Sequence, residues 1–157
     1  MPLGIQLLDD ALLDEVTARA AASSRRRMNH NFHQGPLDNP HRLLNALVHG
    51  TYCTPHRHSV PPKCESFILL RGLVTIFIFD DSGAVLHGYE LGNNGLWGVD
   101  IAPGIWHTIG VTSATAVCFE TKPGPWDPTT DKEFAPWAPR EGDPQAAQYL
   151  HDLLNRG

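Results

Sequence analysis

At 157 residues the chain has the length of one domain and is long enough to bury a sizeable core. Apolar residues make up 41% and charged residues 18%, a globular composition rather than a disordered one. Twelve Lys and Arg against seventeen Asp and Glu leave a net charge of −5, which argues against the broad basic surface that nucleic acid or an anionic membrane needs. The longest apolar stretches, Phe67–Leu70 and Val74–Phe79, are too short to span a bilayer, and Asp9 and Asp10 interrupt the N-terminus before a signal-peptide core forms. Three cysteines without C-x-x-C spacing give neither a disulfide framework nor a zinc knuckle, so a reducing, cytoplasmic setting is expected. Nine histidines, 14 glycines and 13 prolines stand out instead, a turn-rich, histidine-rich composition that directs attention to a metal.

Residues 9–22 read as a helix, capped by Asp9 or Asp10 and striped by Leu8, Leu12, Val16 and Ala20. Ser23–Pro40, with three consecutive arginines followed by Asn, His, Gln, Gly and Pro, reads as an irregular connection. Arg42–Val48 fits a short helix or a first strand equally well. From Gly50 to Glu120 short apolar or alternating runs predict strands at Thr51–His56, Glu65–Arg71, Leu73–Asp80, Val85–Leu91, Gly98–Ile101, His107–Val111 and Ala116–Thr121. Turn residues such as Arg71-Gly72, Asp81-Ser82-Gly83 and Pro103-Gly104 separate them, which predicts an antiparallel sandwich or barrel. The stretch after Glu120 carries six prolines with Trp126, Phe134 and Trp137, so it is expected to pack on the barrel or on another subunit. Asp143-Pro144 then opens a terminal helix with Ala147, Leu150 and Leu154 on one side.

The most informative stretch is Gly50-x5-His56-Arg57-His58-x6-Glu65-x6-Gly72. Residues two apart on a strand share a face, so His56 and His58 project together. Glu65 opens the strand after a turn containing Pro61 and Pro62, and antiparallel return carries its carboxylate back toward them. Pro103-Gly104 turns the chain into His107. Three imidazoles and a carboxylate suit one divalent zinc, iron, manganese, nickel or copper ion.

These spacings resemble the two cupin motifs, which implies a mainly β, double-sheet jelly-roll barrel over 45–121 with the metal inside. The resemblance narrows with Arg42-Leu43-Leu44-Asn45-Ala46-Leu47, Pro55-His56-Arg57-His58, Leu69-Leu70-Arg71-Gly72 and Lys132-Glu133-Phe134-Ala135-Pro136-Trp137-Ala138-Pro139. Together these look like the WbuC family of cupin-fold metalloproteins, over roughly residues 5–142. Members often accompany bacterial O-antigen and other surface-polysaccharide genes. Two departures from the general cupin pattern stand out. Six residues separate His58 from Glu65 instead of three or four, and Val111 stands where the second motif carries Asn.

Strand parity places Tyr52 and Thr54 with His56 and His58, and Lys63, Phe67, Leu69 and Arg71 with Glu65. Tyr52 and Lys63 are therefore candidates for an acid or base, or for holding an anionic substrate group. Arg71, with Arg42, Asn31, His33 and the Arg25–Arg27 run, forms the candidate substrate-binding set, since arginine suits phosphate and carboxylate. The competing assignment for each is a solvated strand end or a charged connection. Cys53 and Cys118 read as small core residues, and Cys64 should point away from the metal. The expected function is a metal-dependent enzyme, an isomerase or epimerase, hydrolase or dioxygenase, acting on a small sugar-derived metabolite of surface-polysaccharide synthesis. A non-catalytic binding module and a purely structural ion are the alternatives, and a homodimer is the expected assembly.

Overall fold

The computed structural model describes residues 4–156. Helix α1 (Asp10–Ala22) starts where Asp9 accepts the Leu12 N–H at 3.0 Å. It buries Leu13, Val16 and Ala20 against Leu44, Ala46 and Val117 of the sheet beneath. The stripe is thus shifted from the expected one: Leu13 takes the inward place, Leu12 sits at the edge and Leu8 is exposed.

The segment expected to be irregular contains a strand, β1 (Arg27–Asn31), antiparallel to β2 (His41–Val48) with Asn29 opposite Asn45. Its polar residues have no apolar alternation, so the pairing partner and not the local pattern makes it a strand. The expected strand Thr51–His56 is the converse case. Residues 51–55 run as irregular chain, and strand β3 is only His56–Arg57. Strands β4 (Glu65–Arg71), β6 (Val85–Leu91) and β7 (Gly98–Ile101) fall where the sequence places them. Strands β5 (Val74–Phe79), β8 (Trp106–Val111) and β9 (Thr115–Lys122) differ from expectation by a residue at their ends. In the proline-rich segment a short β10 (Glu133–Phe134) pairs with β3, and helix α2 (Ala146–Leu154) follows.

The strands form two five-stranded antiparallel sheets, ordered β1-β2-β9-β4-β7 and β10-β3-β8-β5-β6. The sheets face each other as the double-sheet roll expected from the sequence, but they do not close into a continuous barrel. Phe67, Leu69, Ile76, Ile109, Val111 and Cys118 fill the space between them. Both outer faces are covered in part: α1 lies over the first sheet, while Ala135, Trp137 and Leu153 pack on Phe77, Phe79 and Trp106 of the second. Strands β5 and β8 are therefore buried on both faces, which explains why Val74–Phe79 reads as a continuous apolar run. Asp143 caps the turn before α2 rather than the helix itself, accepting the Ala146 N–H with its carbonyl at 3.0 Å. The buried face of α2 is Ala146, Leu150 and Leu153.

Gly72 links β4 to β5 with φ +80°, and a Cβ there would lie 2.2 Å from the Thr115 carbonyl oxygen. Gly104 also has a positive φ, +82°, but a Cβ there meets nothing within 4 Å. Gly104→Ala is expected to cost about 1–2 kcal/mol from backbone conformation alone. Gly72→Ala should cost about 3 kcal/mol or more, because the clash adds to the same strain. Urea unfolding of the two variants checks the difference.

Candidate metal centre

The two sheets bring His56, His58, Glu65 and His107 together, with one ligand atom from each lying within 4.8 Å of the others. All four are buried, between 2% and 6% exposed. His56 and His107 are direct cross-strand neighbours on β3 and β8, and Glu65 enters from the facing sheet at the start of β4. The long His58–Glu65 connection does not displace the carboxylate. A Ser59–Pro62 bridge folds the extra residues into a tight turn, leaving Glu65 Oε2 2.9 Å from His107 Nε2 and 3.4 Å from His58 Nε2.

Backbone carbonyls orient the imidazoles. His56 Nδ1 faces Thr54 O at 3.0 Å, His107 Nδ1 faces Ile105 O at 2.9 Å, and His58 Nδ1 meets Asp131 O. A carbonyl oxygen only accepts, so each Nδ1 carries the proton and each Nε2 presents a lone pair. The Nε2 atoms of His56 and His58 are buried without a hydrogen-bond partner. His107 Nε2 and Glu65 Oε2 are then two acceptors in contact, an arrangement that requires a positive charge between them. A divalent ion supplies that charge, and three imidazole nitrogens with one carboxylate suit a first-row transition metal. Burial, with the charge of Lys132 next in weight, holds the His56 imidazole well below its ordinary pKa and so in the neutral form a metal needs. Burial would raise the Glu65 carboxyl, but the adjoining His107 and His58 rings and the charge of Lys122 hold it well below the usual carboxylate range.

Behind Glu65 lies a charged network that the sequence reading missed. Lys122 Nζ is 3.5 Å from Glu65 Oε1, 3.8 Å from Glu120 Oε1 and 3.2 Å from Asp131 Oδ2. Asp131 also accepts from Lys63 Nζ at 3.0 Å, and Asn45 Nδ2 donates to Glu120 at 3.1 Å. Burial and the neighbouring Glu65 charge push the Glu120 carboxyl up to about 8. The signal for this network was present in β9. Glu120 and Lys122 share parity with the core residues Ala116 and Cys118, so two charges had to point inward.

Two cavities, of about 440 and 550 Å3, open onto this layer and share Asn29, Glu120, Lys122 and Trp126 in their walls. Asn31 and His33 line the smaller one, with His33 stacked on His41 at 4.0 Å. Lys63 is buried and held by Asp131 and the Pro125 carbonyl. Tyr52 donates its hydroxyl to Pro139 O and packs beside Ala146 and Leu150 of α2, so irregular chain before His56 removes the shared face expected from parity. Arg71 is held by Asp10 and Asp14 of α1, and Arg42 is exposed, with its backbone N–H donating to His33 Nδ1. Arg25 and Arg27 reach the larger cavity, both bound to Glu141. Cys53, Cys64 and Cys118 are free thiols.

A family model described as "Domain of unknown function (DUF6016)" matches residues 8–91, more than half of the chain. The chain belongs to the DUF6016 family. No curated protein matches it. Among solved structures, the DUF6016 chain is similar to the capsular polysaccharide assembling protein CapF of Staphylococcus aureus, with TM-score 0.57 and 20% identity over 69% of this chain. It spans only 31% of the CapF chain. The TT1209 protein of Thermus thermophilus has TM-score 0.55 and 15% identity, over 76% of this chain and 97% of that one. The Cnp3 cupin domain of Schizosaccharomyces pombe has TM-score 0.50 and 9% identity, over 62% and 64%. At these identities the likeness establishes the cupin fold. Among the described residues, no helix is long and apolar enough to cross a membrane.

At the rim of the larger cavity, hydrogen bonds from Arg25 and Arg27 outweigh burial and lower the Glu141 carboxyl to about 2. The unfolded chain therefore binds more protons there than the native one between about pH 4.5 and pH 2. This contribution is complete above that window and is lost as pH falls through it. Glu141→Gln is expected to flatten the fall in stability over this range, by less than about 1 kcal/mol because the carboxylate is partly solvated. Chemical denaturation at a series of pH values reads the slope.

Proposed function

We propose that this DUF6016 protein is a metal-dependent enzyme whose ion is held by His56, His58, Glu65 and His107, acting on a small polar, sugar-derived metabolite. The observation that carries the metal is the convergence of three carbonyl-fixed imidazoles on one carboxylate, with two buried Nε2 lone pairs unpartnered. Such an ion supplies Lewis-acid polarisation of a ligand oxygen, or an activated water, at positions the four protein ligands leave open. The chain's own residues hold and orient the ligand. The Glu120–Lys122 pair forms a polar floor shared by two cavities, and Lys122 also touches Glu65, which favours a ligand-binding role over a purely structural ion.

The WbuC resemblance supports a place in surface-polysaccharide synthesis, and the similarity to a capsular polysaccharide assembling protein is in keeping with it. Of the acid–base candidates, Lys63 belongs to the buried network beside the site, while Tyr52 is engaged by Pro139. Asn31 and His33 are proposed to contact the ligand from the smaller cavity. A non-catalytic, metal-dependent binding module uses the same residues and differs in leaving its ligand chemically unchanged.

Elemental analysis of protein purified without a histidine tag is expected to find close to one equivalent of a transition metal. His56→Ala and His107→Ala should both lose it while keeping the wild-type circular dichroism spectrum. A wild-type protein that holds no metal, and takes none up on reconstitution, would overturn the reading.

A further inference from the structure

The larger cavity contains four cations, Arg25, Arg27, Lys122 and Lys132, and three carboxylates, Glu120, Asp131 and Glu141. Each carboxylate already has its partners. Glu141 is bound by Arg25 and Arg27, Asp131 by Lys63 and Lys122, and Glu120 by Asn45 and Lys122. Lys132 is the cation left over: among the described residues it forms no ion pair, although its side chain is half-buried.

The backbone fixes where this lysine stands. On one side of it the Asp131 carbonyl holds His58, and on the other the β10–β3 pairing sets Glu133 opposite Arg57 and Phe134 opposite His56. Glu133 turns outward to bind Arg57, while Lys132 and Phe134 both line the cavity. Lys132 thus sits in the chain between residue 131, whose carbonyl holds His58, and Phe134, which pairs with His56, so the strand that carries it runs beside the ligand cluster. A cation that lines a cavity without a counter-charge is open to an incoming anion.

Two further groups define the rest of the ligand. Trp126 is 44% exposed and forms a wall common to both cavities, where Asn29, Glu120 and Lys122 stand with it. Asn45 lines the larger cavity, and its Oδ1 is buried with no donor, an acceptor left free for a ligand hydroxyl that reaches it. An apolar face with hydroxyl-recognising groups around it matches a sugar ring, whose C–H surface is apolar and whose rim is polar.

We infer that the ligand is an acidic sugar, with its phosphate or carboxylate on Lys132 beside the metal cluster and its ring against Trp126. This rests on the metal-enzyme reading above and names the substrate class of that site.

The test is calorimetric titration of metal-loaded protein with aldohexoses, hexose 6-phosphates and hexuronates, with metal content measured on every variant. The wild type is expected to bind at least one acidic class ten-fold or more tighter than the neutral sugars, and which class it prefers identifies the acid. Lys132→Gln should remove that preference while leaving neutral-sugar affinity within two-fold, and Lys132→Arg should restore part of it. Trp126→Ala should weaken all sugars together, and Trp126→Phe should weaken them less. Acidic sugars binding no tighter than neutral ones, or Lys132→Gln leaving the preference intact, would overturn the inference, as would the absence of binding by any of the three classes. Retained metal in these variants separates that failure from failure of the metal site, which His56→Ala and His107→Ala report.

Discussion

Glu65 is a carboxylate buried between two sheets, and much of the molecule is arranged around its charge. An unpaired anion at that depth would cost several kcal/mol, about the whole stability of a small domain. Compensation comes from two directions. On one side stand the imidazoles and the ion they are shaped to hold, and on the other Lys122. Lys122 then requires Asp131, and Asp131 requires Lys63, so a chain of alternating charges runs from the cluster into the proline-rich segment. That segment is thereby fastened to the sheets by electrostatics as well as by Ala135 and Trp137 packing on the second sheet. Fold and site share these contacts: Lys122, which neutralises Glu65, is also part of the wall of both cavities.

How much of this could be read from the sequence followed the physics of each element. Strands β4, β6 and β7 stood out because turn residues bracket them. His56, His58 and Glu65 were legible because strand periodicity and a tight turn fix their relative positions over short separations, whereas His107, 42 residues beyond Glu65, was legible from its Pro-Gly turn and the cupin resemblance. Residues 51–55 were misread because alternation there has no pairing partner to realise it, and Tyr52 consequently faces α2. Strand β1 was invisible for the opposite reason, since its partner β2 supplies what its own residues do not. Asp131 and Lys132 carried no local signal for a place beside the site. Their placement depends on β10 meeting β3, where Glu133 and Arg57 pair across a sequence separation of 76 residues, and no local pattern encodes that meeting.

The cavities show how one fold acquires a particular ligand preference. The sheets and the four ligands provide a rigid centre. The lining that distinguishes one acidic or polar molecule from another comes from β1, from the segment holding Trp126 and Lys132, and from the inward face of β9. Two of those three lie at the margin of the double-sheet core, where changes of side chain least disturb packing.

The three imidazoles are aimed by the carbonyl oxygens of Thr54, Ile105 and Asp131, not by side chains. Every amino acid carries that carbonyl, so for this purpose the identities at 54, 105 and 131 are free. The orientation of the ligands is thus written into the path of the main chain and is sheltered from sequence drift at the positions that provide it. A scan of single substitutions would find the histidines, and at 131 the carboxylate that pairs with Lys63 and Lys122, but not the carbonyls that make the histidines converge. Their contribution would surface only where the chain itself is rerouted, by an insertion, a deletion or a proline that moves the carbonyl.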